Sequence, residues 1–203
     1  MKRPAPADHS IHSLVAHRWS PRAFADRAVE PDKLRSLFEA ARWAASCFND
    51  QPWYYIVATR DEPAEFQKLL ACLVNANQAW AKAAPVLAIS VARTKFQHNG
   101  SFNRHAQHDV GAASASLALQ AESLGLAVHQ MGGFDANRAR ESFHIPADHE
   151  PMAAIAIGYP GDPASLPETL REREHAPRSR HPISDFVYSG DWGHVAPFVN
   201  PAK

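Results

Sequence analysis

From Tyr159 the chain runs YPGDPASLPETLREREHAPRSRHPISDFVYSGDWGHVAPFVNPAK, a stretch dense in proline and charge. It offers too few apolar pairs to bury a core of its own. It must lie against something else, so it reads as an arm and not as a second domain. Residues 1–160 then carry the core, and residues 161–203 belong to the same domain as its arm. A chain of 203 residues that is 45% apolar can bury a core of that kind.

Upstream, helix and strand signals alternate. A short helix fits residues 8–17. Glu30-Pro31 opens another, with proline in the first turn, and Leu34, Leu37, Phe38, Ala41 and Ala45 recur at helical spacing over about 31–45. YYIVAT (54–59) and PVLAISVA (85–92) read as buried strands around a helix near 62–74. The longest helix spans 105–125 and ends at Gly125, a C-cap signal. Its middle, GAASASLALQA, suits close approach by another helix, and equally a plain alanine-rich core helix. Strand LAVHQMGG, a helix at 135–144 and strand AAIAIGYP complete the series. No G-x-G-x-x-G is present, which disfavours a dinucleotide-binding fold.

Charge narrows the function. Lys+Arg 21 against Asp+Glu 21 leaves no basic excess for general nucleic-acid or anionic-membrane binding. No run of about 18 apolar residues and no export-type leader is visible. Cys47 and Cys72 form neither a disulfide framework nor a zinc cluster, which points to a reducing compartment, the cytoplasm.

Within this neutral chain, arginines are concentrated. Pro21 biases Ser20 toward extended backbone, so Arg18, Ser20 and Arg22 can converge on one anion. Two guanidinium forks and a hydroxyl match a phosphate dianion; the same pattern also suits a solvated turn. Arg178 and Arg180 repeat the spacing in the arm. Asn49 and Gln51 suit the edge of a heterocycle or ordinary turn capping. Met131-Gly132-Gly133-Phe134 ends a strand with two glycines, allowing close backbone approach to a flat ligand or simply a tight turn. His105 and His108 have chelating spacing but no identifiable third ligand, so no metal is assigned.

These pieces, taken in order, resemble the nitroreductase family of flavin enzymes. The likeness is carried by Arg18-Trp19-Ser20-x-Arg22-x-Phe24, Ser46-x-x-Asn49-x-Gln51-Pro52-Trp53 and Asn77-Gln78 before Ala84-Pro85. Asp109-x-Gly111-x-Ala113, Met131-Gly132-Gly133-Phe134, Gly158-Tyr159-Pro160 and Arg178-x-Arg180-x-Pro182 continue it. The resemblance implies an α+β fold with a central mixed β-sheet flanked by helices, in an intertwined homodimer embraced by the C-terminal arm. It implies FMN at the subunit interface, reduced by NAD(P)H and reoxidised by a small electron-poor acceptor such as a nitroaromatic or quinone. Arg18, Trp19, Ser20 and Arg22 would meet the phosphate and ring, and Arg178 and Arg180 would clamp the phosphate from the far side. Ala45, Ser46, Cys47 and Asn49 would come from the other subunit. Asn77 would reach the pyrimidine edge, with Met131, Gly132 and Gly133 beside the reactive ring. Phe48, Phe102 and His105 would contact the acceptor, and no protein acid or base is assigned to catalysis. Cys47, and Gly132 where many relatives carry an acid, depart from the common pattern. A specialised reductase, such as a dehalogenase or an enoate-type enzyme, and a non-catalytic flavin store are the competing readings.

Overall fold

The computed structural model describes residues 3–199, so the last four residues assigned to the arm lie outside the described residues. Its helices are α1 (Ser13–His17), α2 (Pro31–Arg42), α3 (Pro63–Leu70), α4 (Asn75–Ala81), α5 (Ala106–Ser123), α6 (Ala136–Phe143) and α7 (Glu168–His175). Its strands are β1 (Trp53–Thr59), β2 (Val86–Arg93), β3 (Ala127–Met131) and β4 (His149–Gly158).

The strands form one sheet in the order β1-β2-β4-β3. The α+β class is as expected, but every pairing is antiparallel, so among the described residues the sheet is not mixed. The reason is topological. The β1–β2 and β3–β4 connections return to the end of the sheet they left. Between them α5, 18 residues and so about 27 Å long, carries the chain across and leaves the gap that β4 fills.

Both faces of the sheet are covered. Leu87, Ile89, Val91, Ala154 and Ala156 enter one core with Phe66, Leu69, Trp80 and Ala139 from α3, α4 and α6. Val86, Ala88, Ile155 and Ile157 enter the other with α2 and α5. Burial on both faces is why these strands read as unbroken apolar runs. Leu37 and Ala41 of α2 share that second core with Ala113, Leu117, Ala118 and Ala121, so the small-residue stretch of α5 does receive another helix.

Several boundaries differ from the sequence reading. The helix expected near 62–74 is shorter, α3 ending at Leu70, because Leu73 bridges Phe134 and the Val74 N–H donates to the Gly133 carbonyl at 3.1 Å; α4, which begins beyond it, is unexpected from the sequence. β4 starts before Pro151, which is tolerated there because β3 extends only as far as Ala154 and needs no donor from the proline. α2 stops at Arg42, not at 45.

The arm docks first on its own chain. The Ala25 N–H donates to the Tyr159 carbonyl and the Gly161 N–H to the Ala23 carbonyl, both at 2.9 Å. α7, unexpected from the sequence, follows, and Leu166 and Leu170 join the first core. Farther along, Phe186, Trp192 and Phe198 are 62%, 93% and 75% exposed in the single chain.

Candidate functional site

The segment from Arg18 to Ala23 is fixed through its backbone. The Arg18 carbonyl accepts from Arg178 Nη2 at 3.0 Å, and the Pro21 carbonyl from His129 Nδ1 at 2.8 Å. The Arg22 N–H donates to Glu174 Oε1 at 2.9 Å, and the Ala23 N–H to the same oxygen at 3.2 Å. Burial lowers the His129 pKa to about 4, so at neutral pH the uncharged ring supplies a single N–H to Pro21. Its ring centroid lies 4.6 Å from that of Trp80, which stacks on Phe24 at 6.3 Å.

With the backbone held, the side chains of Arg18, Ser20 and Arg22 face one cavity of about 310 Å³ with Arg3, Arg173, Arg178 and Arg180. Arg18 and Ser20 do converge, with Nη1 donating to the hydroxyl at 3.5 Å. Trp19 also lines the cavity, but its ring receives the Arg3 guanidinium at 5.1 Å. Arg178 also braces the backbone. Three of its five N–H groups go to the carbonyls of Arg3, Ala16 and Arg18, leaving two for a ligand. Arg180 is exposed and donates to the Ser179 carbonyl at 2.6 Å.

Six arginines thus face one lining carboxylate, Glu174, whose oxygens are already engaged. Desolvation, and after it Arg180, lowers the Arg18 pKa; desolvation and then Arg18 lower that of Arg178. A cluster of like charges with open donors, two of them partly desolvated, fits a phosphate-bearing group.

A second cluster gathers at the end of β3. Asn77 Nδ2 donates to the Gly133 carbonyl at 3.0 Å, and a Cβ at Gly133 would lie 2.6 Å from that nitrogen. A side chain there would have to displace the Asn77 amide. A Cβ at Gly132 would meet nothing within 4 Å, so its flank is open. The Met131 side chain is buried in the core, which leaves only its backbone to face a ligand.

The third cluster is the loop between α2 and β1. Phe48, Asn49 and Gln51 have φ of 54°, 55° and 49°, left-handed values that non-glycine residues adopt at a cost. Ser46 Oγ accepts from the Gln51 N–H at 3.1 Å, and Asp109 Oδ2 from the Cys47 N–H at 3.0 Å. Buried Asp50 pairs with Arg93 at 2.9 Å. Ala45 and Phe48 are exposed, and the Phe48 ring lies 5.8 Å from both Phe96 and His98. Phe102 and His105 are exposed near the start of α5, where the His105 N–H donates to Asn103 Oδ1 at 3.0 Å. Neither these two residues nor the loop lines the arginine cavity within one chain.

The chain matches the nitroreductase family over residues 15–159. It belongs to that family. A solved oxidoreductase containing FMN is 34% identical, with a TM-score of 0.87 over 93% of this chain and 96% of that one. A nitroreductase family protein of Clostridium difficile 630 is 28% identical, with a TM-score of 0.66 over 86% of this chain and 94% of that one. The "Putative NADH dehydrogenase/NAD(P)H nitroreductase" of Leptothrix cholodnii is 30% identical over 83% of this chain and 91% of its own length. In this nitroreductase-family chain the matched region ends at Tyr159, so Glu174, Arg178 and Arg180 lie beyond it. Among the described residues no helix is long and apolar enough to cross a membrane.

Sequence reasoning missed Arg3, Asp50, His129 and Glu174. Glu174 stood unremarked in the run REREH, where a helical reading of the arm would have singled it out.

Proposed function

We propose that the protein is an FMN-dependent oxidoreductase that passes reducing equivalents from NAD(P)H to a small electron-poor acceptor, a nitroaromatic or a quinone. The observation that carries this reading is the cavity in which six arginines face one engaged carboxylate. The FMN-containing structure at 34% identity and the printed names of relatives support it.

When bound, FMN supplies the hydride chemistry, and the protein contributes binding and orientation. Arg18, Ser20, Arg22, Arg180 and the two open donors of Arg178 hold the phosphate, with the Trp19 backbone beside it. Asn77, Met131, Gly132 and Gly133 form the polar edge for the ring. Ala45, Ser46, Cys47 and Asn49 of a second copy complete the site, and Phe48, Phe102 and His105 meet the acceptor. No protein acid or base is needed. Exposed Phe186, Trp192 and Phe198 support a homodimer in which the arm, part of the same domain, covers the partner. Two free cysteines suit the cytoplasm.

The test is to purify the protein, release its flavin with acid and identify it, then follow flavin bleaching by NADH or NADPH and reoxidation by acceptors. FMN with turnover is the expected result. FAD, no flavin, or a flavin that neither donor bleaches would contradict it.

A further inference from the structure

Glu174 is a carboxylate 1% exposed in a cavity whose other charged lining residues are all arginines. A buried carboxylate is tolerated only where its oxygens are engaged. Oε1 accepts from the Arg22 and Ala23 N–H groups, and Oε2 from the Arg22 N–H at 3.1 Å while lying 3.8 Å from Arg22 Nη1. Two successive amides aimed at one point form an anion-binding nest. The protein fills this nest with its own side chain, so an incoming anion is left to the guanidiniums.

We propose that Glu174 is a positioning residue of the anion site, setting the Arg22 backbone and guanidinium and bringing the Arg178–Arg180 segment to them from the end of α7. The geometry is reciprocal. Arg3 donates to the carbonyls of Glu174 and Ala176, while Arg178, four residues after Glu174, donates back to the Arg3 carbonyl. The last turn of α7, the N-terminal segment and the Arg18–Arg22 loop are therefore locked as one unit. This role rests on the reading of the cavity as an anion site.

Charge and position make opposite predictions. Glu174→Gln removes the negative charge from a cation-lined cavity, so charge alone would tighten anion binding. It also sets an N–H₂ group against backbone donors, so the positioning role weakens it. Calorimetric titration of the full-length protein with FMN, and separately with inorganic phosphate, decides between them. The expected result is a Kd raised ~10-fold for FMN, with phosphate weakened in the same direction. Glu174→Asp keeps the charge but withdraws it by one methylene, and it weakens FMN as well, which covers a Gln variant that does not fold. Leu170→Ala loosens α7 from the core without touching Arg22; it lowers the melting temperature and leaves the Kd within about twofold. Tighter or unchanged binding in the Glu174 variants, or an equal loss in Leu170→Ala, overturns the assignment while leaving the FMN reading intact. A wild-type protein that binds neither FMN nor phosphate overturns both.

Discussion

Asp109 Oδ2 accepts the backbone N–H of Cys47 at 3.0 Å, tying the first turn of α5 to the loop that follows α2. Asp109 is buried, and the loop it holds contains three left-handed non-glycine residues. Asp109→Ala leaves that amide without its partner and should lower stability by about 2 kcal/mol. Asp109→Asn keeps an acceptor oxygen and should lose less. Urea denaturation checks both, and a loss within error for the alanine variant would mean that the loop holds its shape without this bond.

His129 makes stability depend on pH. Its folded pKa lies near 4 against an ordinary 6.5, so the folded state keeps the neutral form and protonation favours the unfolded chain. The contribution is complete above pH 6.5 and is lost as pH falls toward 4, amounting to about 3 kcal/mol at most. Denaturation series at pH 7, 5.5 and 4.5 should show this decline, and His129→Gln should flatten it. An equal decline in the variant would place the effect on other groups.

Local signals served the core well. Proline at the start of α2, the apolar runs of β1 and β2 and the small residues of α5 each act within one element, so they were legible in the sequence. What escaped was set by contacts between distant segments. Whether an arginine is free for a ligand or braces a carbonyl depends on chain brought close only by folding, which is why Arg178 gave no sign that it braces three carbonyls. α7 hid among prolines because Leu166 and Leu170 find their apolar partners in the core and not in the arm. Pro151 obscured the start of β4 because the missing neighbour that excuses it comes from the end of β3.

The two arm arginines should separate in mutants. Arg178→Ala abandons three backbone carbonyls and should lower stability by about 2 kcal/mol as well as weaken FMN. Arg180→Ala removes an exposed side chain, so it should weaken FMN by about 1.5 kcal/mol with stability unchanged. Melting curves and flavin titrations on both variants provide the check. Equal melting losses would contradict the division of labour.

Cys47 contributes its backbone N–H to Asp109, and serine in its place keeps that bond. Cys47→Ser should therefore retain FMN and keep turnover with NAD(P)H within about tenfold, a barrier change of roughly 1.4 kcal/mol or less. A variant reduced normally but reoxidised by no acceptor would give the thiol a part in the oxidative half-reaction.

We assign the phosphate of a flavin to the arginine cavity. Comparing the Kd of FMN with that of riboflavin on the same protein tests it most directly, because the two ligands differ only in that phosphate. Two or more charge-assisted hydrogen bonds at about 1.5 kcal/mol each predict FMN binding at least ~100-fold tighter, with the advantage shrinking in Arg18→Ala. Equal affinity for the two flavins, or an advantage that Arg18→Ala leaves untouched, would contradict the account.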